Sequence, residues 1–236
     1  ILSMALTPLT MIVMERFLPA EEPDVDGAED VERADGLRGE VLIIGFGRFA
    51  QVVSQPLLAR DVEVSIIEND VEMIQAAAQF GFKVYYGDGS RLDVLHASGA
   101  GSVEAVLVCV DKPEVADRIV ELLKAEFPLT KVFARAFDRG HSIRLIEAGV
   151  DYQIRETFES ALKFGEAVLI ELGSDEERAR DAIEDVRRRD AARLDLQLTG
   201  GLTAGRQLMR GNMPTPQPAP YVTPRRQGVV VTEDAD

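Results

Sequence analysis

The stretch VLIIGFGRFAQ (residues 41–51) ends a short apolar run in Gly45 and Gly47, with Ala50 in the third small position of the pattern G-x-G-x-x-G/A. The chemistry this spacing serves is anion binding. Gly45 permits a tight turn, Gly47 lets backbone approach a phosphate, Ala50 allows helix and strand to pack, and the amides opening the next helix point at the anion. Glu68 follows the next apolar run, VEVSII, 23 residues on (68 against 45). There a carboxylate can accept hydrogen bonds from both hydroxyls of an adenosine ribose and repels a 2'-phosphate. The pair selects an unphosphorylated adenosine ligand such as NAD, NADH, AMP or ATP over NADP, with Arg48 adding positive potential at the mouth. Two further loops, GDGSR (87–91) and VDKPE (110–114), bring Asp88, Ser90 and Asp111 to the same crevice, each as a ligand contact or as a cap on the following helix.

Nothing comparable supports bond-making chemistry. His96 and His141 read as a helix-surface and a cap-region residue. No metal-ligating cluster, supported Ser-His-Asp arrangement or substrate domain is evident. The single cysteine, Cys109, lies in the apolar run AVLVCV and reads as a buried small hydrophobe. No catalytic residue and no metal site are expected.

The elements that position these residues follow from hydropathy. Apolar runs VLII, VEVSII, KVYY, AVLVCV and KVFARA alternate with helix-period segments beginning near Arg48, Val71, Arg91, Pro113 and His141. Continuous apolar strands between helices predict an α/β fold, a Rossmann-like doubly wound parallel sheet, over residues 40–154. The 236 residues and 46% apolar content suffice for one such domain plus extra segments, and 41 Asp+Glu against 26 Lys+Arg argues against a nucleic-acid surface.

Outside that core the composition shifts. Residues 1–14 are uncharged, too short to span a bilayer, and with residues up to 19 read as the end of a truncated membrane helix, a buried core helix being the alternative. Residues 20–39 carry the acid-rich stretch EEPDVDGAEDVERADG and read as a solvated linker. Residues 155–197 read as a crossover helix followed by a solvated one, in which Glu176, Glu184 and Asp185 precede Arg180, Arg188 and Arg189 by four positions. Residues 198–236, rich in Gly and Pro, read as a disordered tail.

The stretches IIGFGRFAQ, IEND, VYYGDGSRLDVLHASGA, ARAFDRGHSIRLIEAGV and IRETFESALKFGEAVL together resemble the regulatory potassium-conductance (RCK, also TrkA-N or KTN) domains. Within them, the chain resembles those of Kef-type potassium/proton antiporters of the monovalent cation:proton antiporter-2 family, over residues 1 to about 190. The resemblance implies a cytosolic regulatory domain, following the last helix of an inner-membrane antiporter that moves potassium and protons. It implies AMP or NAD(H) as a bound ligand and not a redox substrate. The residues around the ligand would be Gly45, Phe46, Gly47, Arg48 and Phe49 of the turn, Glu68, Asn69 and Asp70 after the second run, Gly87, Asp88, Gly89 and Ser90 after the third, and Val110 and Asp111 after the fourth.

It further implies a homodimer, in which the apolar stripe Phe158, Ala161, Leu162, Ala167, Val168 and Leu169 is buried by exchange with a second copy. Glutathione or its adducts would be a second ligand. Arg155 keeps one arginine of that site, while Gln55 stands where the family has another arginine and Asp190 where it has an asparagine, a change that repels a glutathione carboxylate. An NAD-dependent oxidoreductase and the gating domain of a potassium channel or uptake system are the alternative readings.

Overall fold

The inner strands VLII and AVLV are uninterrupted apolar runs, because a strand covered on both faces has no polar side to alternate, while VSIIE and KVFARA admit single polar residues. A computed structural model describes residues 31–211. The elements are β1 (Val41–Ile44), α1 (Arg48–Leu58), β2 (Val64–Glu68), α2 (Val71–Gln79), β3 (Tyr85–Tyr86), α3 (Leu92–Ala97), β4 (Ala105–Val108), α4 (Pro113–Glu126), β5 (Lys131–Ala136), α5 (Arg139–Glu147), β6 (Tyr152–Arg155), α6 (Phe158–Glu171) and α7 (Glu176–Gly200). All strands pair in parallel, in the order β3-β2-β1-β4-β5-β6. The order reverses at β1, so the crevice between the carboxyl ends of β1 and β4 is the switch point where such sheets bind ligands.

Alternation along β1 divides the core. Leu42 and Ile44 join Val106, Val108, Val132 and residues of α4 on one face. Val41 and Ile43 join Phe46, Ala50, Ile66, Ile74 and Cys109, with α1 and α2, on the other. That second face is incompletely covered: a groove of about 390 Å³ runs between α1 and the strands β4 to β6, lined by Phe49, Val53, Leu57, Leu107, Phe133 and Ile154 among others.

Three expectations from the sequence shift. A sixth strand, β6, extends the sheet; its run YQIR has one aliphatic residue and an edge position, so hydropathy does not mark it. The solvated linker placed over 20–39 does not reach 39. Tyr86 donates its N–H to Glu32 (2.8 Å) and accepts from the Ala34 N–H (3.0 Å), and Ala34 is buried. The outer edge of β3 has backbone groups that need partners, and this segment supplies them. Finally, α7 continues to Gly200 and a 3-10 turn follows at Arg206–Leu208, both within the span 198–236 read as a tail. The membrane-helix reading of residues 1–19 and the tail beyond residue 211 lie outside the described residues.

The described chain forms two compact units, one up to Glu184 and one from Asp185. In the second, Asp185 accepts from Arg188 (3.0 Å), Arg189 (2.7 Å) and Arg210 (3.1 Å), and Gln197 donates to the Leu202 carbonyl, which ties the residues after α7 to the helix.

Candidate nucleotide site at the carboxyl edge of the sheet

β1 is held between β2 and β4, with Ile44 beside Ile67 and Val108, so the turn after it opens at the switch point. Gly45 has φ +87° and donates its N–H to the Ile67 carbonyl (2.9 Å); a Cβ there would lie 2.9 Å from Val110 Cγ1 and 3.0 Å from Val110 N. Only glycine meets both demands. Gly47 begins α1 with no side chain capping the helix, which leaves first-turn amides to face an anion. A Cβ on Gly47 would make ordinary contact with the Asp111 carboxylate at 3.6 Å, so what this glycine secures is close approach from outside.

Glu68 fastens the two turns together. Its Oε2 accepts from the Phe46 N–H (2.7 Å), and its Oε1 accepts from the N–H groups of Asn69 (2.7 Å) and Asp70 (3.1 Å). Three of roughly four lone-pair directions are thus engaged, so one is open to an incoming donor and a second donor would have to displace one of these amides. Asp70 caps α2 by accepting from Met73 N–H (3.2 Å). Asp88 Oδ1 accepts from both the N–H (2.9 Å) and the hydroxyl (2.7 Å) of Ser90, an Asx turn that shapes its own loop.

Gly45, Gly47, Glu68, Asn69, Asp70, Val110 and Asp111 line one cleft of about 330 Å³, joined by Met73, Cys109, Lys112 and Val115. Gly87 and Asp88 line a second cleft of about 480 Å³ with Arg33, Asp35, Tyr86 and Arg91, and Asn69 belongs to both. The remaining expected site residues fall elsewhere. The Phe46 side chain is fully buried against Phe82 (4.9 Å between centroids), leaving only its backbone in the site. Phe49 lines the apolar groove, and Gly89 is buried, where a Cβ would meet Ile44 at 2.4 Å. Arg48 is exposed, and Ser90 serves the Asp88 turn.

A residue not anticipated from the sequence links the site to the rest of the sheet. Arg135, on β5 and 7% exposed, pairs with Asp111 through Nη1 and with Glu156 through Nη2 (2.5 Å), and donates to the Cys109 carbonyl (3.2 Å). Burial opposes its charge, and the two carboxylates outweigh that, so its pKa is raised. The signal was present as a lone arginine inside the apolar run KVFARA, since a buried charge requires partners. Lys112 was visible in the loop VDKPE, and Arg33 lay in the stretch read as linker.

Comparison with known proteins decides what this arrangement belongs to. Residues 41–156 match the TrkA-N domain. A solved structure from Shewanella denitrificans, "Kef CTD in AMP bound form", is 36% identical, covers 67% of this chain and 96% of its own, and superposes with a TM-score of 0.61. The chain belongs to the TrkA-N family. It is homologous to a glutathione-regulated potassium-efflux system protein of Haemophilus influenzae (39% identity, 86% of this chain and 33% of that protein) and to KefC of Escherichia coli (37%, 79% and 30%). It thus spans about a third of the length of these curated relatives. The GsuK channel bound to NAD shares the fold (19% identity, 66% of this chain and 29% of that one, TM-score 0.52).

Within this TrkA-N domain the histidines have structural roles. His96 packs edge-on against Phe127 (4.9 Å). His141 is 2% exposed: its Nδ1 accepts from the Phe137 N–H (3.1 Å), and its Nε2 stands 3.2 Å from Asp117 Oδ1 but outside hydrogen-bond geometry. Burial lowers its pKa from the ordinary 6.5 more strongly than the charge of Asp117 raises it. Because the unfolded chain then takes up the proton first, stability falls as pH drops below about 6.5 and on through the depressed folded pKa. Urea denaturation at pH about 7.5 and about 5.5 checks this, and His141→Gln is expected to remove that part of the loss.

Of the residues implied for a second ligand, Arg155 ends β6 with its guanidinium 3.9 Å over the Phe158 ring, and Gln55 is exposed on α1. Asp190, half-buried on α7, lines a cleft of about 250 Å³ with Arg189, Arg193, Leu208 and Arg210. Among the described residues no group of three His, Cys, Asp or Glu could hold a metal, and no helix is long and apolar enough to cross a membrane.

Proposed function

We propose that this chain is the nucleotide-sensing regulatory domain of a Kef-type potassium/proton antiporter, located on the cytoplasmic side of the inner membrane, and that its ligand is AMP or NAD(H). The observation that carries the reading is the glycine turn with Glu68 drawn across it. Open helix amides await a phosphate, and a carboxylate at ribose distance disfavours a 2'-phosphate. The ligand is held and not transformed, so its effect is a shift between two arrangements through differential affinity. The domain would act on the transport part of that antiporter.

The groove beside α1 has a proposed occupant, the α6 helix of a second copy. In its own chain α6 buries only Leu162 and leaves Phe164 (75%), Val168 and Ile170 exposed, as is Leu172 at its C-terminal cap. Ala161, Phe164, Val168 and Leu172 recur at helical spacing as an apolar stripe, and the groove offers apolar surface to match. Exchange of this helix gives a symmetric homodimer. Arg135 and Cys109 line the groove, while Cys109 and Asp111 line the nucleotide cleft, so ligand and dimer contact share a wall. Glutathione is the proposed second ligand through Arg155, with Gln55 and Asp190 weakening its hold.

Titration calorimetry of the chain with AMP tests the proposal. Binding is expected, with NADP at least about tenfold weaker, a difference of about 1.4 kcal/mol. Potassium efflux from vesicles carrying the full-length transporter should change when AMP is added. Absence of AMP binding would remove the sensor reading, and the same titration with glutathione reads the second site.

A further inference from the structure

We infer that Lys112 reads a second phosphate on the ligand, so that the cleft favours an adenosine carrying a pyrophosphate, the part common to ADP and NAD(H), over AMP. The inference rests on the nucleotide reading above and adds a specificity residue that lies outside the glycine-turn pattern.

The sheet order sets the direction in which the ligand runs. β2 and β4 flank β1 on opposite sides, so Glu68, the glycine turn and the loop after β4 succeed one another across one cleft. In a 5'-nucleotide the phosphate chain leaves the ribose away from the 2',3'-diol. With the diol at Glu68 and the first phosphate at α1, a second phosphate is carried on toward β4. Lys112 stands on that flank, and among the described residues lining the cleft it is the one cation.

The pairing of charges leaves this ammonium available. Three carboxylates, Glu68, Asp70 and Asp111, line the same cleft, and each already has a donor within the protein. Glu68 holds three backbone amides, Asp70 the Met73 N–H, and Asp111 the guanidinium of Arg135. Lys112 is exposed, and no carboxylate among the described residues pairs with it.

Helix chemistry gives an independent argument. Lys112 is the N-cap residue of α4, and its side chain makes no capping bond. A cation there opposes the helix dipole, whereas Asn, Asp or Ser would cap the free amides. Pro113 and Glu114 follow the preferences of a first turn, so the departure is confined to Lys112. A residue unfavourable to its own helix is expected where a site requires it.

Calorimetry without divalent cations, using adenosine, AMP and ADP, reads the preference, and urea denaturation reads the helix. The unmodified chain is expected to bind ADP about tenfold more tightly than AMP, through one charge-assisted contact. Lys112→Asn should remove that advantage, with adenosine, which has no phosphate, altered least. The same variant should raise the urea midpoint, because asparagine caps α4 and lysine does not. Lys112→Arg, which keeps the charge, should keep ADP ahead of AMP. If ADP binds the unmodified chain no more tightly than AMP, or if Lys112→Asn retains the ADP advantage, the assignment is overturned while AMP binding upholds the nucleotide reading. A lowered midpoint with equal loss of all three ligands would make Lys112 a residue of the fold and overturn it as well. If no nucleotide binds the unmodified chain, both readings fall.

Discussion

Replacing Glu68 by alanine is expected to weaken AMP binding by about two orders of magnitude, because hydrogen bonds from two ribose hydroxyls to a carboxylate contribute about 1.5 kcal/mol or more each. The same change should lower stability by about 1–2 kcal/mol. Asn69 and Asp70 are exposed and water replaces their lost acceptor, but the Phe46 amide that spans to the neighbouring turn has no such substitute nearby. Glu68→Gln separates the two effects. It keeps an acceptor for backbone amides, removes the charge that repels a 2'-phosphate, and should narrow the preference for AMP over NADP. Calorimetry and urea denaturation provide both readouts, and unaltered AMP affinity in Glu68→Ala would end the ribose assignment.

The second large effect concerns assembly. Phe164→Asp places a charge on the exposed stripe of α6, at a residue 75% exposed within its own chain, so the domain should fold normally. In an exchanged dimer the substitution counts twice. Losing the burial of a phenylalanine at about 3 kcal/mol on each side predicts a dimer weakened by about four orders of magnitude. Sedimentation at micromolar concentration should then show a monomer where the unmodified chain is expected to sediment as a dimer. Equal sedimentation of the two would exclude α6 as the exchanged element.

Local rules made part of this molecule readable from its residues. Gly45, Gly47 and Glu68 work through turn chemistry and spacing, which sequence displays directly, and the inner apolar strands show through burial on both faces. What escaped depends on tertiary pairing. β6 is an edge strand whose burial is partial, so its residues need not be apolar. Glu32 to Asp35 look like a solvated run until the open edge of β3 is known to lie beside them. Arg135 reads as a strand residue, and its importance lies in Asp111 and Glu156, more than twenty positions away in either direction. Phe46 and Phe49 share a motif with the two glycines yet point into the core and into the groove, because the helix that begins between them turns each side chain its own way.

The position of Cys109 bears on the chemistry open to such a domain. It is the chain's only cysteine, 3% exposed, and burial pushes its thiol up to about 12, with Arg135 opposing. At neutral pH the fraction present as thiolate, the nucleophilic form, is negligible. Thiol-directed reagents therefore have no ready target at this position. In the sensor proposed above, any response to such a compound would have to come through a ligand seated in the clefts and not through this sulfur, which serves the wall between groove and cleft as packing.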